Sequence, residues 1–115
     1  MKFRYKGNKF NIVGVSQQDL IYKSIIRKRH FYELDLLEYM YSIRKFLQTE
    51  KTISIDVGAN IGNHSIFMSS FLSDHLVAFE PNPDVLNVLK KNLSQNITNY
   101  TLLECALGKA KGTGS

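Results

Sequence analysis

Residues 53–63, Ile53-Ser54-Ile55-Asp56-Val57-Gly58-Ala59-Asn60-Ile61-Gly62-Asn63, decide how this chain is read. Apolar Ile53, Ile55 and Val57 form a short run of the kind expected of a strand buried on both faces. An acid and then two glycines come directly after it. Glycine at 58 and 62 lets the main chain turn sharply and removes the Cβ that would hinder an approaching ligand. The N–H groups that open the next helix have no partner inside it, so they are ready to hold an anion.

Working toward the C-terminus, the pattern predicts a short helix from His64 to Phe71 and a second buried strand from Leu76 to Phe79. Asn82 suits an N-cap and Pro83 a first helical position. The helix from there buries Val85, Leu86, Leu89 and Leu93 and exposes Lys90 and Lys91. Tyr100 to Glu104 read as a third strand. Strand, helix, strand, helix, strand with short connections is the rhythm of a parallel sheet. The fold class is α/β, a Rossmann-like half with three strands and flanking helices.

Toward the N-terminus, Phe3 to Val13 reads as a hairpin around Gly7-Asn8. Two helices come next. The first, Gln17 to Arg29, carries Leu20, Ile21, Ile25 and the stem of Lys28 on one stripe. The second, Glu33 to Gln48, carries Leu36, Met40, Ile43 and Leu47, with Leu37 and Tyr41 beside them. The division is therefore 1–50, a hairpin and helical segment, and 51–115, the Rossmann half.

The glycine spacing is Gly-x-x-x-Gly, without the middle glycine of Gly-x-Gly-x-x-Gly. Asn60 stands where a pyrophosphate needs the least side chain, which weakens an NAD-binding reading. The methionyl carboxylate of a methyltransferase cofactor is the other candidate anion. Glu80 ends the second strand about 20 residues beyond the turn, where a carboxylate accepts from ribose hydroxyls and repels a 2′-phosphate. NADP is a poor fit there.

Two stretches carry a resemblance. Ile55-Asp56-Val57-Gly58-Ala59-Asn60-Ile61-Gly62-Asn63-His64-Ser65 and Val77-Ala78-Phe79-Glu80-Pro81-Asn82-Pro83 closely resemble the motif pair of FkbM-family methyltransferases. Ala106-Leu107-Gly108 resembles the segment after their third strand, and Phe31-Tyr32-Glu33 is similar to an upstream Tyr-Glu. The resemblance implies methyl transfer from S-adenosylmethionine to a hydroxyl of a sugar, polyketide or other small molecule. It implies a methionyl-binding loop of Asp56, Gly58, Asn60, Gly62 and Asn63. Glu80 becomes the ribose acid, Pro81 and Asn82 flank the adenine, and Cys105 and Ala106 meet its edge.

Other residues divide between roles. His64, at a helix start, is either a general base or a packing and capping side chain, the latter favoured. Tyr32 and Glu33 close over the cofactor, or Glu33 simply opens a helix. Glu104 is solvated or faces the ring, and Cys105 packs as a small apolar group. No catalytic residue is assigned.

Composition sets the outer limits. An apolar content of 43% with 22% charged residues is ordinary for a globular chain. No apolar run reaches the roughly 20 residues of a membrane helix, and Met1 to Phe10 lacks the apolar stretch expected of a signal peptide. One cysteine excludes an internal disulfide and fits a cytoplasmic protein. His30, His64 and His75 lack a metal-ligand spacing. The net charge of +5 comes partly from Arg27-Lys28-Arg29 and Lys109 to Lys111, read as solvated, and no nucleic-acid motif accompanies it. Asn92 and Asn96 begin N-glycosylation sequons that matter only after secretion.

Only the front strands of a methyltransferase are found, so the chain is expected to be a fragment, inactive alone. A non-catalytic binding or interaction module is the alternative. Without a fourth strand, Ile53–Val57 is an apolar edge, expected to pair in a homo-oligomer or to be covered by the N-terminal segment.

Overall fold

The computed structural model describes residues 1–47 and 50–108. Its elements are β1 (Lys2–Tyr5), β2 (Asn8–Asn11), α1 (Leu20–Lys28), α2 (Leu34–Leu47), β3 (Ile53–Val57), α3 (Asn63–Phe67) with a π-helical turn (Met68–Leu72), β4 (His75–Phe79), α4 (Pro83–Asn96) and β5 (Tyr100–Leu103). Strands β3, β4 and β5 lie side by side in a parallel sheet, with Ile55 opposite Val77 and Val77 opposite Thr101. This is the Rossmann-like α/β arrangement that the strand–helix rhythm implied. The antiparallel β1–β2 hairpin and two helices precede it. Gln48 and the Lys109–Lys111 cluster lie outside the described residues. No helix among the described residues is long and apolar enough to cross a membrane.

The hairpin turn falls one residue earlier than Gly7-Asn8. Lys6 and Gly7 take φ values of 48° and 81°, and Asn8 already opens β2. Two central residues at positive φ are what a two-residue loop needs to match the strand twist.

Hairpin and sheet share one core. Phe31 is fully buried, and its ring meets Phe3 and Phe10 at 5.0 Å and Phe67 at 5.4 Å, near edge-on. Such edge-to-face contacts add to the burial of each ring. Tyr5 borders this cluster, and its hydroxyl donates to Glu38 Oε2 on α2 at 2.5 Å. Burial first, and the Glu38 carboxylate second, push the phenol well above its ordinary range. The folded chain therefore holds this proton more tightly than the unfolded chain does. The associated stability is intact below pH ~10 and is lost as pH rises beyond it. A Tyr5→Phe variant should show a shallower alkaline fall in melting temperature. Equal slopes in the two proteins would contradict this.

Two asparagines of α4 hold the start of the chain. Asn96 Oδ1 accepts from the Asn11 N–H and its Nδ2 donates to the Asn11 carbonyl, both at 2.8 Å. One turn earlier, Asn92 binds the Val13 N–H and carbonyl at 2.9 Å each and adds the Ile61 carbonyl at 2.7 Å. Asn92 is fully buried, so each of its polar groups needs such a partner. The sequence signal was a polar residue on the stripe of Leu89 and Leu93.

Four expectations need correction. β3 is not buried on both faces: Ser54 and Asp56 face the packed layer, while Ile53, Ile55 and Val57 are 68%, 59% and 56% exposed. A parallel sheet is buried only where helices cover both faces, and the described residues supply one layer. β3 does stand at an edge, and the N-terminal hairpin pairs with itself without joining it. In α1, Ile25 is buried but Leu20 is 77% exposed. In α2 the buried residue is Leu37, with Met40 and Tyr41 packed beside it, whereas Leu36, Ile43 and Leu47 face outward. Arg44 fixes that rotation by donating from Nε to the Leu72 carbonyl at 2.8 Å. The helix expected over His64–Phe71 widens at Met68, where the Ser73 N–H reaches back five residues to the Met68 carbonyl at 3.0 Å. The widened turn places Phe71 against Tyr5, Phe10 and Phe67.

Candidate functional site

The glycine turn is bound to the end of the neighbouring strand. The N–H groups of Gly58 and Ala59 both donate to the Phe79 carbonyl, at 2.9 and 3.0 Å. Gly58 has φ of 76°, and a Cβ there would meet nothing within 4 Å. It serves the turn's dihedral and leaves open space beside the backbone. A Gly58→Ala variant should therefore lose about 1 kcal/mol from backbone strain alone. Denaturant unfolding checks this, and a loss several times larger would reveal a hidden clash.

Gly62 differs. Its φ is 97°, and a Cβ would lie 3.1 Å from Leu89 Cδ1 and 3.4 Å from Leu93 Cδ2. The missing side chain there admits α4, not a ligand, which revises the reason inferred from the sequence.

Glu80 is the centre of the site. Only 7% of its surface is exposed, and both carboxylate oxygens are oriented by the backbone. Oε1 accepts from the Asn60 N–H at 2.7 Å and Oε2 from the Asn82 N–H at 3.0 Å. A carboxylate has about four lone-pair positions, so each oxygen can still accept one more bond. Asn60 takes φ of 55°, a conformation that asparagine tolerates better than most residues. The turn and the acid are thus one unit, joined across the ends of β3 and β4.

Asp56 and Asn63 are engaged elsewhere. Asp56 is buried, and its Oδ2 accepts from the Ser65 hydroxyl at 2.6 Å, linking β3 to α3. Asn63 is 3% exposed; its Oδ1 accepts from the Tyr32 N–H at 2.8 Å and its Nδ2 donates to the Tyr32 carbonyl at 2.9 Å. Its amide fixes the approach to α2.

That clamp brings Tyr32 and Glu33 to the turn. Ile21, Tyr32, Glu33, Asn60 and His64 line a cavity of about 140 Å³ together with the backbone of the turn. His64 Nε2 lies 3.1 Å from Glu33 Oε1, off the hydrogen-bond axis, and the His64 ring stacks on Tyr32 at 6.5 Å and 16°. Glu33 has φ of 57°, while its carbonyl accepts from the Leu37 N–H at the start of α2. It therefore opens a helix and faces the cavity at once. The Glu33 carboxylate and the His64 imidazole thus stand side by side in the cavity wall. The signal was present in Tyr32-Glu33 and His64, but only the fold joins them.

The remaining positions sit on the rim. Pro81 and Asn82 are exposed, and Asn82 Oδ1 caps α4 by accepting from the Asp84 N–H at 2.9 Å. Ala106 is exposed. Cys105 is exposed too, not packed as a small apolar group, because β5 ends at Leu103 and none of the described residues covers the chain beyond that strand. Glu104 lies on the surface with Lys90 Nζ 3.1 Å from its Oε2. Among the described residues, no three His, Cys, Asp or Glu side chains converge as metal ligands do.

No family model matches this chain. Methyltransferase sdnD of Sordaria araneosa is similar to it, at 37% identity over 62 residues. That stretch is 51% of this chain but 24% of the relative, so the chain spans about a quarter of that protein. The fold has a solved counterpart. The crystal structure of M. jannaschii TYW2 in complex with AdoMet superposes with a TM-score of 0.56 at 18% identity. The match covers 90% of this chain and 42% of the other, and at that identity it speaks for the fold.

Proposed function

We propose that this chain binds S-adenosylmethionine and is the cofactor-holding part of a methyltransferase of the FkbM type. The observation that carries the reading is the Glu80 carboxylate, held by the Asn60 and Asn82 amides beside the open backbone of Gly58. An acid oriented in this way, with acceptor capacity left on both oxygens, suits a pair of ribose hydroxyls. The methyltransferase relative and the AdoMet held by the structural neighbour point the same way.

In this reading residues 51–115 form the cofactor half and residues 1–50 its cover. Gly58, Asn60 and Gly62 shape the loop around the methionyl part, with Asp56 and Asn63 bracing it from behind. Pro81 flanks the adenine, and Cys105 and Ala106 line its edge. The bound cofactor supplies a methyl group on a sulfonium centre. The chain's own contribution is placement, since holding donor and acceptor in line is the main source of rate in such a displacement. The acceptor is a small hydroxylated molecule, a sugar or polyketide, and the protein acts in the cytoplasm. The described residues alone supply no acceptor pocket in this reading, so turnover needs more than they provide.

The second reading is a non-catalytic association module, and the open sheet face favours it. Ile53, Ile55 and Val57 present apolar surface along the β3 edge, through which copies would pair.

Calorimetric titration with S-adenosylhomocysteine, with NAD as comparator, separates the two. Selective binding of the homocysteine compound is expected. Binding of neither, by a folded chain, would leave association as the function.

A further inference from the structure

The outer face of the hairpin carries charge that no ion pair among the described residues balances. Side chains alternate across a ribbon, so Phe3 and Phe10 point into the core while Lys2, Arg4 and Lys9 point out. Arg4 lies directly opposite Lys9, and Lys2 sits two residues along. Like charges opposite each other on a ribbon are unfavourable, and among the described residues no acid pairs with them. The ion pairs among the described residues are His64–Glu33 and Lys90–Glu104, neither of which involves the hairpin.

These cations border a built groove. It has a volume of about 580 Å³ and is walled by the hairpin residues Lys2, Phe3, Arg4, Lys9, Phe10 and Asn11 on one side and Gln95 and Asn96 of α4 on the other. The walls are fixed, because Asn96 bonds both backbone groups of Asn11 and Asn92 both of Val13. Phe3 and Phe10, with the aliphatic stems of the lysines and arginine, supply apolar surface, and Gln95 adds an amide. The volume lies within the range of small-molecule sites, roughly 300–1,000 Å³. It lies near the last turn of α4, whereas Asn82 and Glu80 lie at its first, so a helix of about 20 Å separates the groove from the glycine turn.

We propose that this groove is a second binding site, for a small ligand carrying a diphosphate or two neighbouring phosphate groups. Arg4 and Lys9 hold one phosphate from opposite strands, Arg4 through its planar fork. Lys2 reaches the next phosphate along the ribbon. A ligand of this class neutralises the repulsion between the strands, so binding also stabilises the hairpin. The site does not depend on the cofactor reading.

Inorganic pyrophosphate is the first probe, titrated calorimetrically into the chain at low and at high salt. Binding is expected, weakening steeply as salt rises. An Arg4→Gln/Lys9→Gln variant should bind at least about tenfold more weakly, since both opposed charges are gone. A Lys23→Gln/Lys28→Gln variant on α1, with the same net charge, should bind as the parent does. A charge-preserving Lys9→Arg variant should also bind. The Gln pair at 4 and 9 should melt no lower than the parent, because its repulsion is relieved. Equal losses in the two double variants would reduce the effect to net charge and overturn the proposal. So would tighter binding of an oligouridylate that the Arg4/Lys9 variant also loses, which would mark a polymer surface.

Discussion

Replacing Asn92 with leucine should destabilise the chain by about 3 kcal/mol, although the two side chains are similar in size. No cavity opens, so the loss is almost wholly polar. The Ile61 carbonyl, deep beside α4, loses its 2.7 Å donor, and the Val13 N–H and carbonyl lose both of their partners. A buried group left without a partner costs about 1–3 kcal/mol, and the half-exposed Val13 groups recover part of that from water. For a chain of this size that is a large fraction of a total near 5–15 kcal/mol. Urea unfolding measures it. A loss below about 1 kcal/mol would mean that these groups find other partners. Because Ile61 lies in the glycine turn, the variant should also bind cofactor less tightly than its remaining folded fraction accounts for.

Glu80→Ala should have the larger effect on binding. Hydrogen bonds to a charged acceptor contribute about 1.5–3 kcal/mol each, so losing the two ribose bonds proposed for Glu80 should weaken S-adenosylhomocysteine about 100-fold or more. Stability should fall as well, by about 2 kcal/mol, since the Asn60 and Asn82 amides lose their acceptor. Glu80→Gln separates the two effects. Its single amide oxygen satisfies one backbone N–H while its NH2 opposes the other, so it should fold better than the alanine variant yet still bind poorly. Binding by Glu80→Ala within about threefold of the parent would remove Glu80 from the site, whatever the cofactor.

The parts of this molecule that were legible in its sequence are those fixed by nearby residues. Asn82 and Pro83 announce the start of α4, and Gly58 and Gly62 announce the turn, because each need is local. The place of Glu80 at a strand end came from the length of one helix and one strand. Its bond to the Asn60 N–H did not, since that needs β3 and β4 in register. Likewise the apolar run of β3 could not say how many layers would cover it. In α2 two apolar stripes competed, and the contact of Arg44 with Leu72, remote in sequence, chose between them. Glu33 and His64 are far apart in the chain, and only the clamp of Asn63 on Tyr32, across 31 positions, brings them together.

The paired asparagines of α4 also act as a gauge. Four residues along a helix advance about 6.0 Å, and two residues along a strand about 6.6 Å. Asn92 and Asn96 therefore match the repeat of Val13 and Asn11, whose free N–H and carbonyl groups point the same way. Sliding the N-terminal segment by one position would present residues that turn these groups away, and both amides would be left empty. Greasy contacts between phenylalanines tolerate such slippage; a two-pronged amide vernier does not. The start of the chain, which carries no recognisable signature of its own, is thereby read to the single residue by a helix about eighty positions away.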